Sequence, residues 1–438
     1  MTLKRNIGSA FILQIVTAAF MFLSTVLIAR YLLPQGRGIY SLYFNSVNFI
    51  VLLIGLGLSS AITFYHASGK ITAQVAFWVS LMFTSISGLF FFFLLMSTSS
   101  FNLFYKMSGI AFTMKNAAIF TLFCFLLQFS QCIMAIFNAR KEFITSGIIG
   151  FINPAAVTIG IGSLYFLSNK DVALHSPIVN YALLITMAGY LLQVTVAIYF
   201  LIRIKAVTFR FNLSQLNVKE LLFYSTLAYF SNIIQYLSYR SDYWFIDHYH
   251  DKAPLGIYSI AVMIGSIIWM LPSAIATVLL SHTSANQANN AAQTATLCRI
   301  TFFISLVSGI VLYALFGVTT NFIFGSEYAQ ASYLLLLLLP GIILFSLTKV
   351  LGGYFAGANK IKINLTITII SAIVNMGFNF LLIPAQSSEG AAISSSISYT
   401  LSTLLSLIIF ARIHKISINR LLFISKEDVL LIKQTVNG

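Results

Sequence analysis

Gly38-Ile39-Tyr40-Ser41 recurs as Gly256-Ile257-Tyr258-Ser259, 218 residues further along a chain of 438. Each copy opens a long apolar run, and the same shift lays Phe137 on Phe355. A shift of half the chain points to two copies of one unit, so the fold follows from what one unit is made of. Hydrophobic residues form 59% of the chain and charged residues only 8%, against about 45–50% and about 25% in soluble domains. With a mean hydropathy of +0.92, this surface belongs in lipid rather than water.

About 20 mostly apolar residues cross a bilayer as a helix. Twelve stretches qualify, at 8–30, 39–65, 74–96, 115–137, 143–168, 177–202, 220–247, 256–281, 297–318, 332–357, 362–384 and 390–411. A shift of six spans preserves orientation across the membrane. The expected fold is therefore an all-α polytopic membrane protein, with 12 transmembrane helices in two parallel six-helix lobes around a central polar cavity. The lobes are expected at 1–203 and 220–413, with a cytoplasmic connector at 204–219 and a cytoplasmic basic tail at 414–438. Lys4 and Arg5 mimic the start of a secretory signal, but the run behind them continues to Arg30 without a small-residue cleavage site. It reads as the first permanent span.

The net charge of +15 would suggest nucleic acid in a soluble protein. Here it sorts by loop: seventeen of the 25 basic residues lie at the termini and even-numbered turns, and six on the opposite side. Positive loops stay inside, so both termini are expected in the cytoplasm, and no nucleic-acid partner is implied. The two remaining cations, Arg240 and Lys349, fall inside spans.

Ionisable groups within a membrane usually face a watery cavity or a partner. Span seven concentrates them: Ser225, Asn232, Gln235, Tyr239 and Asp242 follow one helical face, with Tyr236 and Arg240 at its edge. One reading makes this face a cavity wall, with Arg240 gripping an anion and Asp242 serving as the coupling group that titrates or holds a cation. The other lets both residues snorkel to the outer interface. Lys349 in span ten is a cavity cation, or else a lysine whose stem runs to the inner headgroups. Gln14, Ser24, Gln128 and Gln131 are the expected polar lining from the first half, and Gln131 is the repeat partner of Lys349. Arg30 and Arg37 flank the first outer turn, as ligands or interfacial anchors.

Signs of enzyme chemistry are weak. Before Gly69-Lys70, Phe64 stands where a phosphate-cradling loop needs glycine, and Ile71 follows where it needs Ser or Thr. Asp247, His248, His250 and Asp251 could form a metal cluster or a solvated loop. Cys124, Cys132 and Cys298 suggest neither disulfide nor metal.

Ala29-Arg30-Tyr31-Leu32-Leu33-Pro34-Gln35-Gly36-Arg37-Gly38-Ile39-Tyr40-Ser41, followed by Gly55-Leu56-Gly57-Leu58 and Ala61, resembles the signature of Wzx-type polysaccharide flippases. These belong to the multidrug/oligosaccharidyl-lipid/polysaccharide exporter superfamily. Asp242-Tyr243-Trp244 leading to Gly256-Ile257-Tyr258-Ser259 is similar to that family's seventh and eighth helices. Leu33 replaces the usual glycine before Pro34, and Tyr243 stands where a basic residue often follows the aspartate, which leaves Arg240 as the cation of span seven.

The resemblance implies a flippase that moves undecaprenyl-diphosphate-linked oligosaccharide repeat units to the outer leaflet of a bacterial inner membrane. The product would serve O-antigen or capsule assembly, beside a polysaccharide polymerase and among membrane lipids. A proton or sodium gradient could drive it, and no cofactor is implied. A multidrug exporter or lipid II flippase of the same superfamily, or a membrane-bound glycan polymerase or acyltransferase, are the alternatives. A drug exporter would want acidic residues in the membrane, a lipid II flippase two further helices, and a polymerase or acyltransferase a catalytic outer loop.

Overall fold

The computed structural model describes residues 3–97, 100–167, 177–208, 218–285 and 290–423, and these are helical almost throughout. The helices are α1 (Leu3–Gly55), α2 (Leu58–Ala67), α3 (Ala73–Leu95), α4 (Ser100–Ser108), α5 (Met114–Ala139), α6 (Phe143–Leu167) and α7 (Pro177–Arg203). They continue with α8 (Val218–Tyr249), α9 (Lys252–Ser266), α10 (Met270–Ala285), α11 (Asn290–Phe324), α12 (Gln330–Gly357), α13 (Ile361–His414) and α14 (Asn419–Leu422). Among the described residues nine helical stretches are long and apolar enough to cross a membrane. Lipid offers the backbone no partners, and a helix satisfies its own N–H and C=O groups, which is why an apolar chain takes this form. Much of the connector and the basic tail, at 209–217 and 424–438, lies outside the described residues.

The expected loops are shorter than the sequence suggests. The first outer turn, expected over several residues, is one residue: α1 breaks at Leu33 (φ 55°, ψ 174°) and resumes at Pro34. Proline disfavours helical geometry in the residue before it, and its fixed φ suits the first position of the next helix. At the far end of the chain α13 breaks at Ser387 alone (φ 51°, ψ −129°). Two predicted spans are interrupted. Leu56 and Gly57, both at positive φ, separate α1 from α2 within span two. A 3-10 turn at Ile267–Trp269 separates α9 from α10 within span eight.

The chain divides into two compact units, Met1–Ile233 and Ile234–Gly438, and the boundary falls within α8. In the first unit the opening arm of α1 runs parallel to α6: Leu13 packs on Gly147, Phe20 meets Phe151 edge-on at 4.8 Å, and the Thr158 hydroxyl donates to the Phe20 carbonyl at 3.1 Å. Tyr43, Phe120 and Phe104 interlock in the core beside them. Tyr40, from the repeated tetrapeptide, pairs with the Thr186 hydroxyl on α7 at 3.0 Å.

The second unit packs around α12. A Cβ at Gly353 would lie 2.4 Å from the Ala276 carbonyl oxygen, and one at Gly341 2.5 Å from the Ser396 Cα. These small residues let backbones approach, the usual means of helix association in lipid. The two arms of α13 fold back on each other about Ser387, so the Ser371 hydroxyl donates to the Ser398 carbonyl at 3.2 Å.

The register of the repeat is also a register of helix ends. Shifting by 218 carries the α1 break at Leu33-Pro34 onto Asp251-Lys252, where α9 begins, and the end of α5 onto the end of α12. The turns after α5 and α12 make the same bonds: Lys141 N–H donates to the Asn138 carbonyl and Glu142 N–H to Phe137, as Asn359 donates to Ala356 and Lys360 to Phe355. Lys141 (φ 61°) and Asn359 (φ 57°) hold the left-handed position in each.

Leu33 holds a backbone conformation that costs a residue with a side chain about 1–3 kcal/mol. Leu33→Gly relieves that strain and gives back part of it as unfolded-chain entropy, for a net gain of about 1 kcal/mol. The purified variant is expected to unfold at a higher temperature than the wild type in the same detergent. An equal or lower midpoint would mean the turn carries no strain.

Candidate functional site

The second unit gathers Tyr239, Arg240, Asp242 and Lys349, and Tyr243 contacts both Asp242 and Arg240 while Lys349 lies among other rings. Asp242 is 2% exposed. Its carboxylate accepts from the Tyr258 hydroxyl, from the Tyr243 N–H at 2.9 Å and from the Ser395 hydroxyl at 3.4 Å. Arg240, two residues earlier and hence on another face of α8, donates to the Tyr243 hydroxyl at 2.9 Å and lies over that ring at 5.3 Å.

A second polar layer adjoins the carboxylate. Ser241 donates to Asn375 Oδ1 at 3.3 Å, Asn379 donates to the same oxygen at 3.0 Å, and Asn375 donates to the Ser398 hydroxyl at 3.3 Å. Asn379 is wholly buried, yet its Oδ1 has no hydrogen-bond donor. Among the described residues no three His, Cys, Asp or Glu side chains gather to hold a metal. The acceptors in these layers are oxygens, hard ligands of the kind that suit a hard cation rather than a soft transition metal. The outer residues do not converge: His250 bonds the Ile383 carbonyl at 2.7 Å, and Asp247 pairs with Lys252.

Lys349 has aromatic company instead of an anion. Its Nζ lies 4.9 Å from the Trp269 ring centroid and 5.7 Å from that of Phe345, and no ion pair reaches it among the described residues. Tyr239 and Tyr399 close the cluster, with rings 5.6 Å and 5.0 Å from Phe345. Trp269 is held by its indole N–H on the Ile342 carbonyl at 3.0 Å. Cation–π contact of this kind is worth about 0.5–2 kcal/mol and leaves the ammonium with open hydrogen-bonding capacity. Gln235 donates to the Tyr239 hydroxyl at 3.3 Å, and Asn232 is exposed.

The first unit distributes its predicted residues more widely. Gln131 lines a cavity of about 640 Å³ formed by α1, α2, α5, α6 and α7. Gln128 is buried beside Gly55, and neither of its amide atoms is hydrogen-bonded among the described residues. Arg30 is half-buried, Arg37 is buried with its guanidinium 5.6 Å from the Tyr40 ring, and Ser24 bonds its own helix at Met21. The side chains of Gln14 and Ser225 lie outside the described residues. Sequence reasoning passed over Tyr258, Trp269, Asn375, Asn379, Ser395 and Tyr399. Asn375 and Asn379 stand one turn apart in a span, a visible signal but an uncharged one. Tyr258 is the tyrosine of the repeated tetrapeptide, where it looked like packing.

Comparisons with known proteins agree with this architecture. The family model for polysaccharide biosynthesis proteins matches residues 3–287, and the MatE model matches residues 228–381. A probable low-salt glycan biosynthesis flippase from Haloferax volcanii is 26% identical over 195 residues, 43% of this chain and 41% of that protein. The chain thus spans about two fifths of the length of this curated relative. The lipid II flippase MurJ in an inward closed conformation superposes with a TM-score of 0.76 at 17% identity, covering 94% of this chain and 88% of that one. An inward-facing multidrug resistance MATE transporter of the MOP superfamily gives 0.69 at 16% identity, over 92% and 96%. At these identities the likeness to the solved structures is one of fold.

Hydrogen bonds to a charged group contribute about 1.5–3 kcal/mol. A double-mutant cycle of Asp242→Asn and Tyr258→Phe, read by thermal unfolding, is therefore expected to give a coupling energy of that size. Additive effects would mean that Tyr258 does not hold the carboxylate.

Proposed function

The chain belongs to the family of polysaccharide biosynthesis proteins, alternating-access membrane transporters of the MOP superfamily rather than enzymes, and from this premise we propose that it flips a lipid-linked saccharide diphosphate across the bilayer. The observation that carries the proposal is Lys349: a cation within an apolar helix, held by Trp269 and Phe345 and paired with no carboxylate among the described residues. A charge so placed suits an anionic ligand. Arg240 adds another cation to the same cluster of residues in that unit. A saccharide carried on a diphosphate brings the anion, and its lipid tail can stay in the bilayer.

The finer reading is an undecaprenyl-diphosphate-linked oligosaccharide repeat unit, moved from the cytoplasmic to the outer leaflet of a bacterial inner membrane for O-antigen or capsule assembly. Twelve spans in two lobes with both termini in the cytoplasm are the topology this reading uses, supported by the turns repeated after α5 and α12 and by the sorting of basic residues. Asp242, with the oxygens around it, is the coupling centre, taking a proton or a sodium ion.

A second reading has its own support, since the fold likeness reaches a lipid II flippase and a drug exporter. Lipid II is also a polyprenyl diphosphate and would use the same cations. Cationic drugs would need an accessible carboxylate, and the carboxylate of Asp242 is buried and accepts from three donors.

Mass spectrometry of lipids from cells lacking the protein separates these readings. An intact repeat unit on polyprenyl diphosphate is expected to accumulate; accumulation of lipid II would assign the second cargo, and accumulation of neither would remove the flippase. In the same cells Lys349→Ala and Arg240→Ala are expected to restore little export at normal abundance, with Lys349→Arg outperforming Lys349→Gln. Full export by both alanine variants would return these cations to a snorkelling role.

A diphosphate carries about two negative charges, so outward transfer down an inside-negative potential of 100 mV releases about 4–5 kcal/mol. Flipping in liposomes is therefore expected to run faster when the loaded leaflet faces the negative side, without a pH gradient. Equal rates at opposite potentials, with dependence on a proton gradient, would move the driving force to Asp242.

A further inference from the structure

The cavity of the first unit and the aromatic cage of the second occupy the same place in the repeat. Thr17, Met21, Leu127 and Gln131 line the cavity. Shifted by 218, they become Gln235, Tyr239, Phe345 and Lys349, the residues that build the cage and its cation. The shift also carries Ser24 onto Asp242. The repeat has kept the position and exchanged the chemistry: an amide stands where its counterpart has an ammonium, and a hydroxyl where it has a carboxylate.

None of the described residues lining the cavity carries a formal charge. Its polar groups are amides and hydroxyls, which both donate and accept, as sugar hydroxyls do. Several are held in place by their neighbours. Gln193 donates to the Ser130 hydroxyl at 3.1 Å, Asn153 to the Thr186 carbonyl at 3.1 Å, and Asn48 to the Phe44 carbonyl at 2.7 Å. Gln131 makes no hydrogen bond among the described residues and is exposed to the cavity. The rings of Phe44 and Tyr190 supply apolar faces of the kind that cover the C–H faces of a pyranose. A volume of about 640 Å³ is far more than an ion requires and falls within the about 300–1,000 Å³ of pockets for organic ligands.

Charge decides what such a cavity accepts. A carboxylate or ammonium entering it gives up part of its hydration and meets no counter-charge among the described lining residues. A neutral hydroxyl exchanges hydrogen bonds with water for hydrogen bonds with amides, at little net cost.

We propose that the cavity lined by Asn48, Gln131, Asn153 and Gln193 is a glycan-binding site selective for uncharged sugars, and that Gln131 is its main discriminating contact. This rests on the flippase reading above and deepens it. Cargo whose leading sugars are neutral hexoses or N-acetylhexosamines binds there, and uronates are rejected.

The test uses the full-length protein in lipid nanodiscs and three polyprenyl diphosphate probes. One carries a neutral hexose tetrasaccharide, one the same tetrasaccharide with a hexose oxidised to its uronate, and one no sugar. The neutral probe is expected to bind about tenfold tighter than either of the others. Gln131→Leu is expected to bring the neutral probe to the affinity of the sugar-free one, and Gln131→Lys to turn the preference toward the uronate. Continued binding of the sugar-free probe identifies a folded variant. A uronate probe that matches or exceeds the neutral one in the wild type, or a tenfold preference that survives Gln131→Leu, would overturn the inference while leaving the flippase in place. Failure of the wild type to bind any of the three probes would remove the flippase reading itself, and the inference with it.

Discussion

Hydrocarbon forms no hydrogen bonds, so a chain immersed in it must satisfy its backbone polar groups from within. That constraint makes the described chain helical almost throughout and reduces two expected outer loops to the single residues Leu33 and Ser387. It also explains where helices are allowed to fail. The interruption at Leu56-Gly57 lies between Asn48 and Ser59, both in the wall of a polar cavity, and the 3-10 turn at Ile267–Trp269 delivers the indole that carries Lys349. Irregular backbone at membrane depth is tolerated where protein or a wet cavity satisfies it.

The same constraint separates the two kinds of buried charge. Asp242 is surrounded by donors, from Tyr258, Ser395 and its own backbone. Lys349 is surrounded by ring faces, which offset part of its desolvation but supply no counter-charge. Two charges of one unit are thus accommodated in different ways, the carboxylate by hydrogen-bond donors and the ammonium by ring faces.

Repetition accounts for how one helical scaffold presents both a neutral and a charged surface. The turns after α5 and α12 are superimposable in their hydrogen bonds, and they depend on backbone geometry that Lys141 and Asn359 both adopt. Gln131 and Lys349, outside those turns, differ between the two copies, whereas Phe137 and Phe355, wholly buried in both, are the same.

By itself the amino-acid sequence determined the membrane, the helices and the repeat, because each is a local or periodic property. Hydropathy over about 20 residues decides whether a segment enters lipid, and the tetrapeptide at Gly38 and Gly256 places the two copies in register. It also marked Arg240, Asp242 and Lys349, since a charge in an apolar run is conspicuous. Tertiary structure alone decided what those groups touch. Tyr258 reaches Asp242 from the next helix, and Ser395 reaches it from 153 residues away. Asn375, Asn379 and the described lining of the first-unit cavity are uncharged, so no charge along the chain sets them apart until folding gathers them. Pattern along the chain reports the solvent each segment must face, while the side chains that meet across helices are set by packing between segments far apart in sequence.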